Sequence, residues 1–98
     1  MKIPKLKTNP AAGLLADALE HEDIKPARAA RDMGIPRSRL SDIFAGRKGV
    51  SADTALRLGK WFGTGPRLWL NLQQAYELDL ASQTLKGTLK KIKTRKAA

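Results

Sequence analysis

Residues 26–45 read PARAARDMGIPRSRLSDIFA, and their spacing predicts two short helices joined by a tight turn. Pro26 suits the first turn of a helix, where a missing N–H has no partner to lose. Ala29, Ala30 and Met33 form the apolar stripe of that helix. Gly34 follows, where a chain leaving a helix takes a left-handed conformation. Pro36 opens the next helix, Leu40, Ile43 and Phe44 give it a buried face, and Gly46 ends it. Helices so closely linked must cross steeply, and the small Ala30 suits the contact point. Met33, Ile35, Leu40 and Ile43 fill the wedge between them. The free face of the second helix then carries Arg37, Ser38, Ser41, Asp42 and Ala45. It is short, polar and uncluttered, as a helix entering a DNA major groove must be. This is the spacing of a helix-turn-helix over 26–45.

The flanks read as further helices. Leu14, Leu15, Ala18 and Leu19 recur at helical spacing from Ala11 onward, with Asp17, Glu20 and Glu22 on the other side, and this helix ends near His21–Asp23. Ser51 is an N-cap for a fourth helix, with Asp53 in its first turn and Ala55, Leu58, Gly59 and Phe62 on its apolar stripe. Gly63, Gly65 and Pro66 break the chain. A fifth helix runs from about Arg67 to Ala81, with Leu68, Trp69, Leu72, Ala75 and Tyr76 on one broad face that Leu80 extends. No segment is both β-branched and alternating, so no strand is expected. There is no internal repeat. The fold expected is all-α: a five-helix bundle over 11–82 containing the helix-turn-helix, between a basic N-terminal arm (1–10) and a basic C-terminal tail (83–98).

Composition narrows the function. The 98 residues hold 19 Lys and Arg against 9 Asp and Glu, a net charge of +10, with no cysteine and 5% aromatics. A disulfide scaffold or a cysteine zinc site is impossible. No apolar run is long enough to span a bilayer, and the N-terminus lacks the apolar core of a secretory signal. A cytoplasmic protein is therefore expected. A basic chain of this size suggests a polyanionic partner. The charge is uneven, however. The arm carries Lys2, Lys5 and Lys7, and the tail carries six bases without an acid, so nine of the ten net charges lie in the ends. Residues 11–25 hold four acids against Lys25, a net of −3. Residues 26–50 hold six bases against Asp32 and Asp42, a net of +4.

The residue types on and around the helix pair fit double-stranded DNA. Arg reads guanine bidentately, Ser bonds several base edges and Asp accepts from cytosine. Arg37, Ser38, Ser41 and Asp42 are thus candidate base readers. Arg47 and Lys48, just past the helix, sit where phosphates would run, and Arg28 is a further candidate phosphate contact. Arg39 faces the edge of the helix, where it either touches phosphate or pairs with an acid. The acidic first helix either meets a basic partner or is a plain solvated surface. The tail is polar, basic and without caps, and reads as disordered or only weakly helical; it is a solvated segment, a nonspecific DNA clamp or a segment that folds on a partner.

Other features have plainer readings. His21 has no companion ligands, so no metal site is expected. Asp53, Glu77 and Asp79 are read as solvated helix faces and caps rather than acid–base pairs, which argues against an enzyme. Nothing calls for a cofactor. Trp61, Phe62 and Trp69 are expected to pack around helices four and five. Trp69, Leu72, Tyr76 and Leu80 either belong to that core or form the seam of a homodimer.

The stretches IPRSRLSDI, GRKGVSADTALRL, WFGT and WLNLQQAYEL together resemble the HigA family of antitoxins. The likeness covers about residues 9–82 and is sharpest over 34–78. It implies a helix-turn-helix of the Cro and lambda-repressor-like type, usually in a homodimer. It also implies binding to the protein's own operator DNA and neutralisation of a cognate HigB-like toxin that cleaves mRNA. Two places depart from the family pattern. Asn9-Pro10-Ala11-Ala12 stands where members usually have His-Pro-Gly-Glu, and Lys25-Pro26 stands where they commonly have Ser then Gln. A stand-alone helix-turn-helix regulator without a toxin is the alternative reading, and an interaction module that no longer binds DNA is a third.

Overall fold

The computed structural model describes residues 8–95 of the chain. Those residues form six helices: α1 (Pro10–His21), α2 (Pro26–Met33), α3 (Arg37–Phe44), α4 (Ala52–Phe62), α5 (Arg67–Thr84) and α6 (Lys86–Lys91). No strand occurs among the described residues. Five helices were expected. The sixth, together with the last turn of α5, falls in the stretch read as a tail. Most of the arm lies outside the described residues, but Asn9 and Pro10 belong to the start of α1. The Asn9 side chain caps α1 by accepting from the Ala11 N–H at 3.0 Å.

Local punctuation sets the boundaries. Gly34 caps α2 at φ 69°, in the left-handed region. Ser51 caps α4 by accepting from the Thr54 N–H, and Gly63 closes that helix at φ 77°. Lys25 stands at the N-cap of α2 and makes no side-chain cap bond, so the first turn of α2 begins without one.

The core gathers one stripe from each of the first five helices. Leu15 and Leu19 of α1 meet Ala29, Ala30 and Met33 of α2, Leu40 and Ile43 of α3, Ala55 and Leu58 of α4, and Trp69 of α5. Ile35 and Val50 join them from the loops. Helix α5 packs on both α1 and α4, while α2 and α3 pack on each other. Not every apolar residue of the expected stripes turns inward: Leu14 is 37% exposed and Leu68 39%. Gly59 explains why α4 lies so close to the following turn. A Cβ there would collide with the backbone of Gly65, and the Gly65 N–H donates to the Gly59 carbonyl.

Trp69 is only 1% exposed. Its indole N–H donates to Thr64 Oγ1 at 3.0 Å, and its ring lies 5.2 Å from Phe62, which in turn meets Trp61 edge-on at 4.9 Å. Trp69 is therefore a core residue, and its place on a dimer seam is corrected: a side chain with no accessible area cannot offer any to a partner. Leu72 is half-buried against the same core. Tyr76 is half-buried and Leu80 exposed.

Candidate nucleic-acid interface

Helix α3 is carried by a turn that its neighbour α4 holds in place. Arg57 of α4 reaches over α2's C-terminus and donates from Nη1 to the carbonyls of Met33 (2.9 Å) and Gly34 (3.2 Å). A cation on the last carbonyls of a helix is favourable both as a hydrogen bond and against the helix dipole. The same guanidinium donates from Nε to Asp53 Oδ1 at 2.8 Å. Asp53 also accepts from Arg39 of α3 at 2.9 Å. One carboxylate thus links α3 and α4. The Arg57 hydrogen bond holds the Asp53 carboxyl below its ordinary value of 3.8; desolvation opposes it, and the Arg57 and Arg39 charges add to the lowering. Arg39 therefore pairs with an acid, the second of its two expected readings.

The outward face of α3 divides in two. Arg37, Ser38 and Ser41 are exposed, and no hydrogen bond or ion pair engages their side chains among the described residues. Asp42 is already occupied. It accepts from Arg47 Nε at 2.8 Å and faces Lys48 Nζ at 3.7 Å. Its backbone carbonyl accepts from the N–H groups of both residues, at 2.8 and 3.2 Å. The loop after α3 is therefore wound around Asp42, with Gly46 at φ 76° supplying the left-handed step. The hydrogen bond from Arg47 holds the Asp42 carboxyl below its ordinary 3.8, helped by the charges of Arg47 and Lys48. Asp42, expected as a base reader, is engaged by two cations, which it holds beside the exposed face of α3. Arg28 sits 3.6 Å from Asp32 one turn along α2, in an exposed pair.

Two residues that matter to this geometry were not singled out in the sequence, and a third, Asn9, only as a departure from the family pattern. Arg57 is one. Gln73 of α5 is 5% exposed, and its Oε1 accepts from Asn9 Nδ2 (2.6 Å) and from the Val50 N–H (2.8 Å). Its Nε2 donates to Glu77 at 3.1 Å. Gln73 and Asn9 thereby tie the start of α1 and the loop before α4 to α5. Their amide side chains were a signal only in hindsight, because the partners are far apart in the chain. Asp79, read as a solvated acid, is 1% exposed and accepts from Gln83 Nε2 at 2.9 Å. His21 lies exposed in the last turn of α1. No cluster of potential metal ligands occurs among the described residues, and none of their helices is long and apolar enough to cross a membrane.

Two short helices packed on each other across the Gly34 turn, the second with an exposed polar face and cations past its end, define a helix-turn-helix domain of the phage-repressor type. No protein-family model matches the chain. Individual relatives do. The chain is 39% identical over 88 residues to virulence-associated protein I of Dichelobacter nodosus, an alignment covering 85% of this chain and 82% of that one. An addiction-module antidote protein of the HigA family from Coxiella burnetii superposes with a TM-score of 0.79 at 32% identity, over 98% of this chain and all of that one. PA4674 of Pseudomonas aeruginosa, solved in complex with its operator DNA, superposes with a TM-score of 0.84 at 31% identity, over 98% of this chain and 100% of the other. The chain belongs to the HigA family of helix-turn-helix antitoxins.

Proposed function

We propose that the chain is an operator-binding repressor and antitoxin that acts as a homodimer in the cytoplasm and neutralises a cognate HigB-like, mRNA-cleaving toxin. The observation that carries the DNA half is the unpartnered trio Arg37, Ser38 and Ser41 on α3, in a chain similar to a protein solved on its operator. Arg47 and Lys48 dock on phosphates, held in position by Asp42, and the trio reads base edges. The basic ends, 1–10 and 83–98, add phosphate contacts without sequence preference. A dimer presents two α3 helices about 34–36 Å apart to successive major grooves. Leu78 of α5, Leu85 between the two helices, Leu89 of α6 and Ile92 just past it support a second copy: they are 43–64% exposed.

The test is a mobility shift with the protein's own promoter DNA. Binding is expected, and Arg37→Ala should weaken it by about 1–3 kcal/mol while relaxing the preference at one base pair. An unchanged base preference removes Arg37 from that role. Co-purification with the product of the adjacent reading frame separates an antitoxin from a stand-alone regulator, which would bind the same DNA and capture nothing.

A further inference from the structure

We propose that a groove between α1 and the turn after α3 is the docking surface for the toxin, a basic RNA-binding protein. It seats an apolar side chain in the groove and sets its cations against the acidic edge of α1. The inference rests on the antitoxin reading above. The groove measures about 790 Å3, room for more than one large side chain. Ala12, Ala16 and Leu19 of α1 line it together with Phe44 and Ala45 at the end of α3 and Tyr76 of α5.

Charge identifies the occupant. Residues 11–25 sum to −3 in a chain of +10, so all the rest sums to +13. Asp17, Glu20, Glu22 and Asp23 are all exposed, and no ion pair engages them among the described residues. Glu20 itself lines the groove. Such an edge repels the phosphates that the α3 side attracts, so operator DNA is not its partner. A protein that holds and cuts mRNA needs cations to grip a polyanion. An acidic edge complements that surface, speeds encounter with it and competes with RNA for it.

The test uses the full chain and the protein encoded by the adjacent reading frame, titrated against each other at low and high salt. Asp17→Lys with Glu20→Lys should weaken the complex roughly tenfold or more at low salt, with a smaller loss at high salt and no loss of promoter binding. Ala16→Trp, which fills the groove, should weaken the complex at both salt concentrations. If both variants bind the toxin like the parent chain, the proposed surface is wrong and the antitoxin reading stands. If the parent chain itself fails to bind, the antitoxin reading falls and takes this surface with it. If Ala16→Trp changes the oligomeric state of the free chain and leaves toxin affinity intact, the groove belongs to a second copy and the proposal is overturned.

Discussion

Around Gln73, three distant segments meet through a buried amide; around Asp42, a carboxylate gathers two neighbouring cations in water. The bonds themselves are alike: 2.6 and 2.8 Å to Gln73, 2.8 Å from Arg47 to Asp42. The surroundings differ. Water replaces a bond lost at Asp42 at once, whereas the partners of Gln73 are almost wholly buried and a substitute would have to enter from the groove that Asn9 and Gln73 line. The buried cluster therefore fixes the shape of the domain. The exposed one can exchange Asp42 for a phosphate at little cost, as a surface that must bind and release requires.

The largest effect should come from Gln73→Ala. It strands the Asn9 amide and the Val50 N–H in the interior, at about 1–3 kcal/mol per orphaned group. Thermal unfolding should show a drop of several degrees. A variant that melts like the parent would mean that water reaches this cluster and that the contrast with Asp42 is false. Arg57→Ala should come next. It removes the cation from the Met33 and Gly34 carbonyls and should cost about 1 kcal/mol, with a parallel loss of promoter affinity because the turn beneath α3 loosens. Stability lost without any change in DNA binding would separate the turn from the reading face.

Acid should expose the smaller contribution of the surface carboxylates. Asp42 and Asp53 both have carboxyls held below their ordinary value. Their stabilisation is present above that value and is lost as the pH falls through the lower folded-state one. The melting temperature should therefore fall below about pH 4. Replacing both residues by Asn should make that fall shallower. A curve unchanged by the double replacement would show that neither pairing stabilises the fold. The smallest effect on stability should be that of Asp42→Asn alone at neutral pH, and its readout is binding. With Arg47 and Lys48 released, affinity for random-sequence DNA should rise while discrimination for the promoter falls. An unaltered ratio of specific to nonspecific affinity would deny Asp42 its hold on those two cations.

The same contrast explains how much could be read from the sequence. The helix-turn-helix was legible because its determinants act within a few residues: Gly34 caps the helix it follows, and Ser51 caps the helix it precedes. The stripe Ala29, Ala30, Met33, Leu40 and Ile43 is buried as its spacing requires. The clasp was not legible. Asn9 and Gln73 stand 64 residues apart, and Arg57 meets Met33 across 24. Periodicity carries no trace of such pairs. The bounds of α6 were not legible, because lysines and a glycine give it no side-chain cap. Its first hydrogen bond, from the Leu89 N–H to the Leu85 carbonyl, simply continues the course of α5. On the reading face, Arg37, Ser38 and Ser41 were picked out by type and position. The pairing of Asp42 was not legible, because an acid beside two bases looks the same whether it waits for a ligand or already holds a partner.

The aromatic cluster of Trp61, Phe62 and Trp69 gives the molecule an optical asymmetry. Both of the chain's tryptophans lie at the joint of α4 and α5, and its one tyrosine, Tyr76, lines the groove beside α1. Helix α3, proposed to face DNA, carries neither chromophore. Indole emission therefore reports the integrity of that joint and stays nearly silent when α3 is engaged, while events in the groove fall within reach of the lone phenol.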